Sequence, residues 1–211
     1  MSDYLAQRTN GPGLRRHTAA DQSGGASDGG RLTALDADGR LDRTLLPIVT
    51  PYHHGAIGDG TTDDTNAIND AATAAAASGA VLQFPAGIYR TTAHIHLINC
   101  DTAVDGEAKI VADHGGVGVL IGTSGALLRK RKWALPEVER VVKSWGGTDV
   151  GVKVLHAIES ELHVPKVSQF SVGVLVESQS FGTAWNQITL GYLLDNGVQL
   201  RLNATSTGYV N

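Results

Sequence analysis

Gly151-Val-Lys-Val154, Gly173-Val-Leu-Val176 and Gly197-Val-Gln-Leu200 recur at spacings of 22 and then 24 residues, each followed by two further short apolar pieces. For the middle repeat those pieces are Asn186-Gln-Ile-Thr-Leu190 and Tyr192-Leu-Leu194. Three short strands per repeat of this length is the pattern of a stacked solenoid coil, in which no coil buries its apolar face alone. The inward positions are valine, isoleucine and leucine, as parallel ladders covered on both faces prefer. The spacing predicts Val152, Val174 and Val198 in register along one column.

Working outward, residues 52–92 read as an opening to such a stack. Gly55, Gly58 and Gly60 allow a tight irregular turn, with His53 and His54 just before it. Thr62, Asp63 and Asp64 then supply capping oxygens and negative charge for a helix N-terminus. Ala67, Ile68, Ala71, Ala72 and Ala75 form one narrow stripe at helical spacing, and Ser78-Gly79 supplies a stop, so a helix is predicted over about 63–78. Its small side chains predict close packing on something flat. Val81–Phe84 and Ile88–Thr92 read as strands on either side of a Pro85-Ala86-Gly87 turn, and further strands are predicted at Ile95–Ile98, Ala103-Val104, Lys109–Ala112 and Val117–Ile121. Strands this short exclude a doubly wound sheet.

The composition agrees. Of 211 residues 26 are glycine, and hydrophobic content is 42% with only 5% aromatic, so bulk comes from aliphatic side chains and alanine. A net charge of −4 gives no general attraction to nucleic acid or anionic membrane, and neither partner is expected. The single cysteine, Cys100, cannot form an intrachain disulfide. No secretory signal core and no run of about 18 apolar residues is found, so synthesis in a cytoplasm without membrane insertion is expected.

Residues 1 to about 30 are small, polar and turn-forming, too poor in apolar groups to offset the entropy of ordering. Leu32, Leu35, Leu41, Leu45 and Leu46 follow at intervals and need a surface to bury against. Asp36-x-Asp38-Gly39 has the start of a calcium loop, but Leu41 and Pro47 stand where its glycine and glutamate belong, so it reads as a turn.

The run Gly55-Ala-Ile-Gly-Asp-Gly-Thr-Thr-Asp-Asp-Thr65, the alanine-rich helix and Val81 to Arg90 together resemble the opening module of pectate-lyase-like right-handed parallel β-helix proteins, found in bacteriophage tailspikes, tail fibres and capsule depolymerases. The resemblance covers roughly 52–211. It implies an all-β, right-handed parallel β-helix whose N-terminal end is capped by the helix at 63–78, with Asp59, Asp63 and Asp64 in structural roles. The segment ending Asp42-Arg-Thr-Leu-Leu-Pro47 resembles connectors that precede spike and fibre domains. Residues 1–50 are therefore expected to be a mostly extended virion-attachment arm, and 51–211 the start of the β-helix. Residues 191–211 read as the beginning of another coil without a C-terminal cap, so the helix reads as truncated, or covered there by partner chains.

No catalytic constellation emerges, and no cofactor or metal site is expected. Glycan cleavage needs two carboxylates, about 5–5.5 Å apart for retention or roughly 6.5–9.5 Å for inversion. Glu159 and Glu161, two apart on one strand face, meet that spacing, as do ordinary solvent-facing acids; Glu177 and Asp195 are further candidates. His94-x-His96 could present two imidazoles, but no third ligand follows at a recognisable spacing, so an outward-facing pair is expected. Cys100 reads as a buried small side chain rather than a nucleophile. Arg129-Lys-Arg-Lys-Trp133 could grip an anionic polymer. The plainer reading is a solvated loop, which Glu137 and Glu139 could neutralise. Val138, Val141, Val142 and Trp145 have helical spacing, with a strand as the alternative. The sequon Asn203-Ala-Thr205 has meaning only on a glycosylating export route.

The expectation is a structural, receptor-binding subunit of a phage tail. It would be trimeric, docked on other tail or baseplate proteins through residues 1–50, and would present its β-helix to host surface polysaccharide. The alternative is a polysaccharide depolymerase acting by hydrolysis or β-elimination; a secreted bacterial lyase is disfavoured by the missing signal.

Overall fold

The computed structural model describes residues 48–179, 182–184 and 186–204. The leucine-spaced segment, the Asp36–Gly39 turn and all but the last residues of the expected arm lie outside them, as does Thr205 of the sequon.

Among the described residues the chain, from β3 onward, passes back and forth between two sheets. The large sheet holds β1 (Ile48–Val49), β2 (Asp59–Asp63), β3 (Val81–Thr91), β5 (Asp101–Ala112), β8 (Lys132–Ala134), β9 (Glu137–Arg140), β12 (Glu161–Ser168) and β14 (Gln187–Leu194). The second holds β4 (Ile95–Leu97), β6 (Val117–Ile121), β10 (Val150–Leu155), β13 (Val172–Ser178) and β15 (Val198–Ala204). A short third pair joins β7 (Leu128–Arg129) to β11 (Ala157–Ile158). Every pairing between these strands is parallel, so residues 20 to 33 apart in sequence become lateral neighbours.

The core is built from columns of inward side chains. On the second sheet Ile95, Val119, Val152, Val174 and Leu200 share one column, and Leu97, Ile121, Val154, Val176 and Leu202 the next inward one. On the large sheet Leu82, Thr102, Trp133, Leu162 and Ile188 form a third, and Tyr89, Ile110, Val138, Val167 and Leu193 a fourth. Most of these side chains are fully buried, each contributing about 1.5–3 kcal/mol relative to exposure. Val198 does not stand beside Val174 as the repeat spacing predicts. It pairs with Val172, and Leu200 takes the place beside Val174. The third repeat is thus shifted by two residues, which keeps its apolar face inward because side chains alternate with period two. Asn196 fixes that register, accepting the Phe170 amide at 3.0 Å and donating to the Val167 carbonyl at 3.0 Å.

The helix α1 spans Thr65–Ser78, two residues later than expected at its start. Ile68, Ala71, Ala72 and Ala75 are its buried face, and the small side chains let it lie close on β1, β3 and β4. It stops at Gly79, whose φ of 69° places it in the left-handed region and turns its amide back to the Ala75 carbonyl.

Two strand boundaries differ from expectation for one reason. Pro85-Ala86-Gly87 is a corner inside the continuous β3, where the register shifts, and β5 likewise runs unbroken past Gly106. A parallel neighbour supplies partners on both sides of the corner, so the chain bends without reversing. Val138 lies in β9, whereas Val141, Val142 and Trp145 stand exposed in the loop that follows. The helical spacing there produced no helix.

Candidate functional site

The corners of β3, β5, β8/β9 and β12 stack into an outward furrow of about 520 Å³. Its floor is backbone-rich, formed by Gly87, Gly106, Pro136 and Pro165, with Ile88, Val104 and Ala108 as apolar walls and Glu107, Lys109 and Glu137 as polar ones. Tyr52 braces one end by donating from its hydroxyl to the Ala86 carbonyl at 2.9 Å. A Cβ on Gly87 would come within 2.8 Å of that hydroxyl oxygen, so the corner needs glycine for the close approach.

Lys109 and Glu137 in the lining belong to a cluster of four charges that continues beyond the furrow. The Lys109 ammonium lies 3.7 Å from Glu137 and 3.0 Å from Glu139, and the Lys166 ammonium 3.7 and 3.8 Å from the same two carboxylates. The hydrogen bond to Glu139 raises the Lys109 pKa above its ordinary value, against the opposing effect of burial. The ladder is internally compensated and rich in donors and acceptors. Such a wall can hydrogen-bond sugar hydroxyls, but Glu137 is already held by two ammonium groups and is poorly placed as a free general acid.

The other candidates fall elsewhere. Glu159 has a left-handed φ of 52° in the turn between β11 and β12, while Glu161 opens β12 and pairs with Lys132 at 3.3 Å, so they do not share a strand face. Glu177 is buried beside Lys153 at 3.2 Å; burial opposes its ionisation, but contacts from Gln179, Lys153 and Asn203 outweigh this and lower its pKa. Asp195 pairs with Lys143 at 3.3 Å. None of these acids lines the furrow.

His94 and His96 stack edge to face with ring centroids 5.9 Å apart beside α1, and His96 Nε2 lies 2.8 Å from the Gly122 carbonyl. Burial, then His96 and His114, lower the His94 pKa. Cys100 is buried, its thiol pushed up to about 11 chiefly by that burial, and its carbonyl accepts the Trp133 indole N–H at 3.0 Å.

The basic run straddles the short turn between β7 and β8, with Arg129, Lys130 and Lys132 exposed. Arg129 ends β7, Lys132 and Trp133 lie in β8, and Trp133 is buried. Arg131 lies 3.6 Å from Asp101 and Lys132 pairs with Glu161; Glu137 and Glu139 serve Lys109 and Lys166 instead. Asp59, Asp63 and Asp64 all spend their oxygens on local bonds. Asp59 accepts the Thr61 and Thr62 amides at 2.8 and 2.7 Å. Asp63 accepts the Thr65 and Thr92 hydroxyls, both at 2.6 Å. Asp64 stands at the N-cap position yet turns its carboxylate back to the loop before it.

Residues 51–123 match the profile of the family described as rhamnogalacturonase A/epimerase, pectate lyase-like. That stretch runs from the opening turn through α1 and β6. No curated protein matches the sequence. A solved chain from Geobacillus virus E2, ORF18, aligns with a TM-score of 0.45 at 16% identity, over 76% of this chain and 39% of that one. This chain therefore spans well under half the length of that protein.

Proposed function

From a chain that is pectate-lyase-like over residues 51–123, we propose a bacteriophage tail fibre or tailspike subunit that binds host surface glycan. The two sheets and the short third pair are the faces of a right-handed parallel β-helix. Helix α1 covers its first coil so that the β1 and β4 edges cannot recruit another chain. Residues 1–50 form the arm that docks on other tail proteins, and three copies assemble. The leucine-spaced segment before Pro47 supports the virion reading, because it offers apolar groups that need a partner surface.

The observation that carries the binding role is the furrow: an open, backbone-floored channel crossing four successive rungs, walled by compensated charges. A linear polymer can lie along such a channel, its hydroxyls meeting Glu107, Lys109 and Glu137. Retention of labelled bacterial surface polysaccharides by the purified chain tests this. Retention by the wild-type chain that is lost in Ile88→Arg and Glu107→Arg, both exposed wall positions, supports the role; no retention of any polysaccharide overturns it.

The depolymerase alternative rests on one observation, that two carboxylates, Glu107 and Glu137, line the same furrow. Reducing ends or unsaturated products released from a bound polysaccharide, and lost in Glu107→Gln, would favour it.

A further inference from the structure

Trp145 stands outside the furrow, and its surroundings are unusual for an exposed aromatic. The residue is 63% exposed, together with Val142 at 63% and Val141 at 51%. Large exposed apolar groups held together on a surface mark a binding function more often than chance. This one is also held still. The indole N–H donates to the Asp195 carbonyl at 3.0 Å. The carrying loop is tied by the Val141 amide to Ala112, by the Ser144 amide to Gln169, and by the Gly147 amide to the Ser171 hydroxyl, each at 3.0 Å.

The indole has therefore spent its only donor, and what remains to offer is its π face. Lys143 covers one side, its ammonium 4.0 Å from the ring centroid, and the same ammonium pairs with Asp195 at 3.3 Å. We propose that the remaining face of Trp145 is a stacking platform for an uncharged pyranose unit, with Lys143 and Asp195 binding its hydroxyls at the rim. The negative π face attracts the weakly positive C–H face of a sugar ring. The ammonium carries three donors and the carboxylate about four acceptor sites, so the ion pair keeps capacity for hydroxyl groups.

Charge selects the class. Lys143 is already neutralised by Asp195, so neither an acidic sugar nor a nucleic-acid phosphate finds a free cation, which phosphate binding requires. Three side chains are also too small a patch for a second copy of this chain, since a stable protein interface needs about 800 Å² per partner.

The subsite rests on the glycan-binding reading and extends it to a second contact point. The test is isothermal titration calorimetry of the full chain with maltohexaose, cellohexaose and oligogalacturonate, alongside Trp145→Ala, Trp145→Phe and, for the furrow, Glu107→Arg. The expected result is saturable binding of a neutral oligosaccharide. Affinity falls at least tenfold in Trp145→Ala and only a few-fold in Trp145→Phe, with melting temperatures unchanged. Neutral-sugar binding retained in Trp145→Ala but lost in Glu107→Arg overturns the platform and leaves the furrow reading standing. Binding of oligogalacturonate alone overturns the assignment to uncharged sugars. No binding of any of the three by the wild-type chain overturns the platform, and polysaccharide retention then decides the furrow reading separately. Concentration-dependent self-association abolished by Trp145→Ala reassigns the patch to an interface between copies and overturns the platform too.

Discussion

The buried carboxylate of Asp64 accepts the Ile57 amide at 2.7 Å and the Gly58 amide at 3.1 Å, so the residue just before α1 also fixes the glycine-rich loop that leads into it. Removing the carboxylate leaves two amides without their charged acceptor. Asp64→Ala is expected to destabilise the fold by about 3 kcal/mol and Asp64→Asn by roughly half that, because hydrogen bonds to charged groups contribute about 1.5–3 kcal/mol. Denaturant unfolding of both variants checks this; equal and negligible losses would contradict it.

Gly122 and Gly79 both have left-handed φ, at 92° and 69°, but a Cβ would run into the Leu155 carbonyl oxygen at the first and meet nothing within 4 Å at the second. Gly79→Ala should therefore cost about 1 kcal/mol of conformational strain. Gly122→Ala adds overpacking against backbone, for a total of about 3 kcal/mol or more. Thermal melting of the two variants side by side gives the comparison, and a Gly79 variant as damaged as the Gly122 one would refute the steric argument.

Asp63 titrates low. Burial opposes ionisation, but the hydrogen bonds from Thr65 and Thr92 outweigh it and bring the carboxyl from 3.8 to about 2. A depressed folded-state pKa contributes stability that is present above the unfolded value and is lost as pH falls through the folded one. The melting temperature should therefore drop between pH 4 and pH 2, and Asp63→Asn should shrink that drop while lowering stability at neutral pH. Identical acid profiles for the two proteins would remove Asp63 from this role.

The columns are legible because successive parallel strands repeat their apolar face. Val152 and Val174 fall where the glycine-valine spacing puts them. The shift at Val198 was hidden because the repeat aligns glycines, whereas the ladder is set by Asn196, whose amide bonds carry no periodic signal. The corner at Pro85–Gly87 was misread for a related reason. Proline and glycine punctuate both reversals and bends, and only the presence of a parallel neighbour, invisible in sequence, separates the two.

Less of the site could be read. The furrow joins Gly87, Gly106, Pro136 and Pro165, residues that are unremarkable singly and meet only through the register. Lys109 and Lys166 carry no motif, and the acids they hold stand nearer in sequence to the basic run, which they could equally neutralise. The run itself found Asp101 and Glu161, about 30 residues away along the chain but adjacent across rungs. Trp145 was absorbed into a helical spacing; its pairing with Lys143 two residues earlier was the available signal.

Everything rests on strands separated by 26 to 31 residues lying side by side in parallel. Paired cysteines test that directly in a Cys100→Ser background. The outward pairs Lys132/Glu161 and His163/Thr189 are lateral partners, at a spacing of roughly 4.8 Å that a disulfide can bridge. Oxidation should cross-link both pairs rapidly in the native protein, and leave Lys132/His163, displaced by two residues, unlinked. Cross-linking of the displaced pair as fast as the aligned ones, or of none, would contradict the stacked parallel register.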